Sequence, residues 1–217
     1  MSAPTTTPPA AGTIDEIAAR LGVSPDRIRR DPAPGTAVEE DVLATDDGYR
    51  PICELLDGVL VEKAVGFYES RLAAVLIQIL GGFAEQRGLG IVLGADGTLR
   101  LAPGLIRIPD VACFSWDRFP SRKLPREAMP NLAPDLAVEV LSAGNTEVEM
   151  SRKLCDYLAA GVRLVWYLDP ASRSATVHRA DGTTSTVSED EALEGEAVVP
   201  GFSLPLREWF ARAGERE

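Results

Sequence analysis

One histidine, three cysteines and no long apolar run define what this 217-residue sequence is short of. His178 stands alone in the strand-like SATVHRA, at an expected surface or edge position, so catalytic triads and histidine-rich metal sites lack their usual material. Cys53, Cys113 and Cys155 are odd in number, far apart and set in apolar surroundings, which argues against a disulfide framework or a CxxC zinc site and predicts core thiols. No stretch approaches the roughly 18 consecutive apolar residues that span a bilayer. MSAPTTTPPA lacks the basic start and apolar middle of a signal peptide, so a cytoplasmic location is expected. Gly88, Gly90 and Gly94 do not form a dinucleotide fingerprint, and neither a P-loop nor a GxSxG elbow occurs. Positive charge is also scarce: 22 Lys and Arg against 33 Asp and Glu leave a net charge of −11, whereas phosphate binding normally draws on a basic footprint.

What is present suffices for one α/β domain, with 45% hydrophobic residues to fill a core. The Pro- and Thr-rich residues 1–13 read as a disordered tail. Residues 14–33 read as an N-terminal helical extension: Ile14, Ile17, Ala18 and Leu21 share a face, Gly22 ends the helix, and a turn follows near Ser24. DPAPGTAVEED then breaks the pattern, so a helix-turn-helix has no recognition helix and packing against residues 34–217 is the better reading. Within that domain ICELLDGVLVEKAV predicts a hairpin turning at Asp57-Gly58. A helix with Leu72, Leu76, Ile79, Leu80 and Phe83 inward runs to Gly88, and about three strands follow over residues 90–116. PDLAVEVLS, EVEMSRKLCDYLAAG and VRLVWYLDP then form a strand-helix-strand unit, the helix turning Met150, Leu154, Tyr157 and Leu158 inward. A hairpin at Asp181-Gly182 and a closing helix in PLREWFAR complete a mixed sheet, antiparallel early and parallel late.

Two acids break this apolar pattern. Asp110 in RIPDVACF and Glu139 in DLAVEVL interrupt segments that otherwise read as buried strands, where a carboxylate is costly unless something positive compensates it. A metal ion is the economical compensation. Lys153 borders the apolar face of the following helix, and two acids with a lysine suggest phosphodiester hydrolysis. Glu69 falls on the apolar stripe of its helix in the first turn, where the helix dipole also favours negative charge. Arg107, Arg118, Arg122, Lys123 and Arg126 cluster around the first acidic strand and offer a basic rim, with Arg107 placed to meet a phosphate. Asn145 is the expected cap of the helix carrying Lys153. Aromatic residues, 6% of the chain, are too few for a sugar-binding cleft.

The order of elements resembles the PD-(D/E)XK nuclease core. More closely, ELLDGVLVEK, GFYES, RIPDVACFSW, the long block from PDLAVEV to WYLDP, and VVPGFSLPL resemble the Uma-type family of restriction-endonuclease-like proteins. The resemblance implies a restriction-endonuclease-like fold, a mixed β-sheet core flanked by helices. It implies Asp110 and Glu139 as metal-binding acids and Lys153 as a catalytic lysine moved from the strand to the next helix, since Leu141 fills the strand position. Glu69 resembles the additional acid that many nucleases of this superfamily carry on the first core helix. Asp110, Glu139 and the Val140 carbonyl would hold magnesium, or manganese in its place. DNA is the implied substrate and a homodimer the implied assembly, with a catalytically inactive module for nucleic-acid binding or assembly as the alternative.

Overall fold

The computed structural model describes residues 12–44, 52–64 and 66–214, so the first 11 residues of the tail lie outside it. Helix α1 (Ile14–Leu21) starts at a capping box between Thr13 and Glu16 and ends at Gly22, whose φ of 72° is the left-handed conformation that glycine adopts without strain. Its buried Ile17, Ala18 and Leu21 pack with Val23 and Ile28 onto Leu56, Val59 and Val61. These last three belong to the hairpin of β1 (Cys53–Leu56) and β2 (Val59–Glu62), which turns where Asp57 (φ 52°) and Gly58 (φ 73°) are both left-handed. The segment after α1 makes one short 3₁₀ turn at Pro25–Arg27 and no second helix, and Ile28 bridges Val61. Residues 14–33 are therefore bound to the hairpin's face.

Helix α2 (Phe67–Gln86) leads into the stretch expected to hold three strands, which instead holds four: β3 (Gly90–Leu93), β4 (Leu99–Ala102), β5 (Leu105–Arg107) and β6 (Val111–Ser115). They are divided between two sheets, because the chain crosses over at Gly94–Thr98 and again at Ile108–Asp110. One sheet has the order β2-β1-β5-β4. The other, β10-β9-β8-β7-β6-β3, uses β7 (Leu136–Val140), β8 (Leu164–Asp169), β9 (Ser174–Arg179) and β10 (Thr184–Val187). Among the described strand pairs only β7 and β8 are parallel, joined by the crossover helix α3 (Glu147–Ala159). A small pair, β11 (Ala192–Glu194) and β12 (Ser203–Pro205), then feeds the closing helix α4 (Leu206–Ala213), tied to α2 by Trp209 Nε1 donating to Leu72 O at 3.0 Å.

Strand alternation gives the six-stranded sheet two buried faces. Leu136, Val138, Val140, Leu164, Trp166 and Leu168 face α2 and α4, while Ala137, Val165 and Tyr167 face α3. Among the described residues no helix is long and apolar enough to cross a membrane. Two expectations need correction. Cys53 and Cys113 are buried but Cys155 is exposed, because it lies on the outer side of α3. His178 is half-buried in a strand flanked by β8 and β10, its ring edge-on to Tyr167 with centroids 5.1 Å apart, and burial lowers its pKa.

Candidate active site

Asp110 and Glu139 reach the same cleft from neighbouring segments of the six-stranded sheet, the approach to β6 and β7. The antiparallel register of β6 and β7 pairs Val111 with Val138, and Asp110 N donates to Val138 O at 3.0 Å, so the next step along both chains sets Asp110 opposite Glu139. Asp110 is in the bend just ahead of β6, not within the strand as expected, because the preceding proline and the crossover between sheets delay the ladder. Its carboxylate closes the strand end. Asp110 Oδ2 accepts the Val140 N–H at 2.7 Å, and Oδ1 meets Lys63 Nζ at 2.9 Å. The cleft has a volume of about 270 Å³, and Lys63, Glu69, Asp110, Glu139, Val140 and Lys153 all line it.

Since Val138 and Val140 point toward α2, alternation turns Glu139 toward α3, where burial leaves it 4% exposed. Lys153 and Tyr157, one helical turn apart, both come to meet it: Lys153 Nζ lies 3.0 Å from Oε2, and the Tyr157 hydroxyl donates to Oε1 at 2.6 Å. Burial pushes the Glu139 carboxyl above its ordinary pKa, and the carboxylates of Asp110 and Glu54 add to that against the pull of Lys153 and Lys63. Burial opposes the Lys153 charge too, but Glu139 and Glu54 hold its pKa above the usual lysine value, so it remains an ammonium.

Glu54 and Lys63 were not anticipated. Glu54, buried on β1, lies 3.6 Å from Lys153, accepts the Ile108 N–H at 3.0 Å and pairs with Arg107 at 2.7 Å. The sequence did carry its signal, a carboxylate inside the apolar ICELL, the same anomaly that marks Glu139. Lys63 at the end of β2 carried none, because a lysine after VLVE is what a strand entering a loop ordinarily shows. Glu69 occupies the first turn of α2 and lines the cleft from above Gly66, where a Cβ would stand 1.9 Å from its Oε2.

Arg107 does not face a phosphate. It is 1% exposed, with its guanidinium divided between Glu54 and Asp156 (Nη2 to Oδ2, 2.6 Å), because β5 belongs to the four-stranded sheet and turns the side chain between β1 and α3. The rest of the basic cluster does not line the cleft either. Arg118 is spent on Asp135 and Gly161 O, and Arg122 lies over the Trp116 ring. Asn145 is not the cap of α3: Thr146 Oγ1 accepts the Glu149 N–H, while Asn145 Oδ1 accepts Ser142 N–H and its Nδ2 donates to Glu149.

Among the described residues no group of three His, Cys, Asp or Glu side chains stands close enough to hold a metal. The donor set is thus two carboxylates and the Val140 carbonyl. That set is oxygen-only, converges on one cleft, and each carboxylate oxygen keeps a lone pair beyond the single bond given above. It fits a hard cation that retains most of its water, as magnesium does, and does not fit zinc.

A mixed sheet that ends in facing acids, with a lysine on the crossover helix, defines a restriction-endonuclease-like α/β fold. The architecture is similar to the crystal structure of a putative nuclease belonging to DUF820 from Anabaena variabilis ATCC 29413, with a TM-score of 0.67 over 76% of this chain and 93% of that one at 17% identity. The Uma2 family model, described as putative restriction endonuclease, matches residues 39–207, and the chain belongs to this family. No curated protein matches it.

Proposed function

We propose that this protein is a divalent-metal-dependent endonuclease that hydrolyses phosphodiester bonds in DNA. The observation that carries the reading is the meeting of Asp110, Glu139 and Lys153 in one cleft, with the lysine 3.0 Å from the second acid. Asp110, Glu139 and the Val140 carbonyl would hold magnesium or manganese, which supplies a polarised phosphate and a more acidic bound water. The protein's own groups do the rest. Tyr157 and Lys153 fix the Glu139 carboxylate so that it faces the cleft. Lys153, held charged, directs N–H donors to an attacking water or to the charge that grows on the phosphate oxygens. Glu69, which lines the cleft, would accept a hydrogen bond from a water held there. The acidic surface leaves binding to the cleft itself, and two such clefts in a homodimer would cut both strands of a duplex.

The test is cleavage of supercoiled plasmid with magnesium, with manganese and with chelator, for the wild type, Asp110→Asn and Glu139→Gln. Metal-dependent nicking lost by about 100-fold or more in both variants, with unchanged circular dichroism, is expected. Nicking that survives both substitutions overturns the reading.

A further inference from the structure

Lys63 lines the cleft, and the chemistry above gives it no task. Its side chain is 6% exposed, and among the described residues its ammonium meets three oxygens: Asp110 Oδ1 at 2.9 Å, Ile108 O at 2.7 Å and Ala95 O at 3.5 Å. Lys153 differs in kind. It stands between two buried carboxylates, Glu139 and Glu54, and its departure would take the ammonium partner from Glu139 and weaken the hold on Glu54. Lys63 holds one carboxylate, the one that closes the strand end beside the Val140 peptide, and its other partners are neutral carbonyls.

We infer that Lys63 is a built-in counter-cation of Asp110, which a divalent ion must displace, and that the displaced ammonium then contacts the substrate phosphate in the same cleft. The inference rests on the metal-dependent reading of this site. A dication on Asp110 Oδ1 would stand close against the Lys63 ammonium 2.9 Å from that oxygen, whereas at Glu139 it can take Oε1, whose partner is the neutral Tyr157 hydroxyl. The four-carbon stem and rotating donors of lysine let the ammonium move without the backbone. Once moved, it lies in a cleft that a phosphate diester would share with Lys153, so the two lysines divide the work. Lys153 is locked to Glu139, and Lys63 is exchanged between protein and substrate.

This assignment predicts an unusual sign. A lysine that only braces Asp110 would, when removed, leave the acid misplaced and weaken metal binding. A competing counter-cation would, when removed, strengthen it. Magnesium and manganese titration calorimetry on the full chain without DNA separates the two. Lys63→Met is expected to bind the ion at least about fivefold more tightly than wild type and to melt lower without metal, while cleaving at least about tenfold more slowly at saturating metal. Lys63→Gln, which keeps an N–H donor for Ile108, guards against loss of the fold and should shift affinity the same way.

Binding that Asp110→Asn abolishes, but that Lys63→Met and Lys63→Gln leave unchanged or weaken, overturns the inference and leaves the metal site standing. Binding seen in the Lys63 variants and not in wild type supports it in its strongest form. Binding in none of these proteins overturns the metal reading and this inference together.

Discussion

Glu54 on β1 lies 3.6 Å from Lys153 on α3, and this pair ties the four-stranded sheet to the helix that carries the candidate catalytic lysine. Burial pushes the Glu54 carboxyl upward, but Lys153, Arg107 and the Ile108 N–H outweigh it and hold the pKa at about 2, from an ordinary 4.5. A carboxyl that is more acidic in the folded than in the unfolded chain stabilises the fold above the unfolded pKa. That contribution fades as pH falls from 4.5 toward about 2. Its size is on the order of 3 kcal/mol. Glu54→Gln should therefore be destabilised at neutral pH, with the gap to wild type closing across this acid window in urea titrations. A gap that stays constant down to the lower pH would show that Glu54 is not held as an anion.

Arg107 should behave as a core residue. With its guanidinium divided between Glu54 and Asp156, Arg107→Met takes an ion-pair partner from both carboxylates and leaves the enclosed Glu54 with Lys153 and the Ile108 N–H. A loss of about 3–5 kcal/mol is expected. The check is the denaturant midpoint, set beside the salt dependence of DNA binding measured well below the melting temperature. A changed salt slope in a variant of undiminished stability would return Arg107 to the phosphate-binding surface.

The contrast between Arg107 and Glu139 shows how far the sequence could be read. Glu139 was legible because a carboxylate inside LAVEV has one physical meaning, a buried charge that needs compensation. The strand-helix-strand unit and the Asp57-Gly58 hairpin were legible for a similar reason, since periodicity and turn chemistry are local. Arg107 was misread because GIVLGADGTLRLAPGLIRIPDVACFSW looks like one meander, whereas its strands leave one sheet for another at residues 94–98 and return at residues 108–110. Which layer a strand enters is decided by packing between sheets, and no local pattern records it. Lys63 was hidden for the same reason, since its partner Asp110 meets it only across that boundary, and Glu54, though marked by its apolar surroundings, gave no local sign that its partner is Lys153.

Tyr157→Phe removes one atom from the site. The Tyr157 ring is buried beside Ala137 and Val165, so the packing is kept, and the lost group is the donor 2.6 Å from Glu139 Oε1. A buried carboxylate oxygen without its donor costs about 1–3 kcal/mol. The variant should melt several degrees lower, as a chain of this size loses roughly 2–4 °C per kcal/mol. The Glu139 carboxyl, already raised by burial, should titrate higher still, so the proposed cleavage should lose activity at a higher pH than wild type as the solution is acidified. Equal pH profiles would mean that the hydroxyl supports the fold alone.

The N-terminal segment should matter to the site and not only to stability. Arg27 makes a bidentate pair with Glu149 on α3 at 2.9 and 3.1 Å, and Thr146 Oγ1 donates to Gly22 O at 2.5 Å, so the start of the helix bearing Lys153 is docked against the end of α1. The approach is close: a Cβ at Gly22 would fall 2.5 Å from Glu149 N, and its φ is already left-handed. Arg27→Met leaves Glu149, 2% exposed, with Asn145 Nδ2 as its remaining side-chain donor, a loss expected at about 2 kcal/mol or more. Gly22→Ala should cost more than about 1 kcal/mol through strain and the clash together. Because both changes move the first turn of α3 relative to β7, the proposed nuclease rate should fall at temperatures where each variant is still fully folded. Deleting residues 1–33 should lower stability and rate in parallel. Loss of DNA affinity alone, with melting temperature unchanged, would show that the segment reads nucleic acid instead of holding the helix.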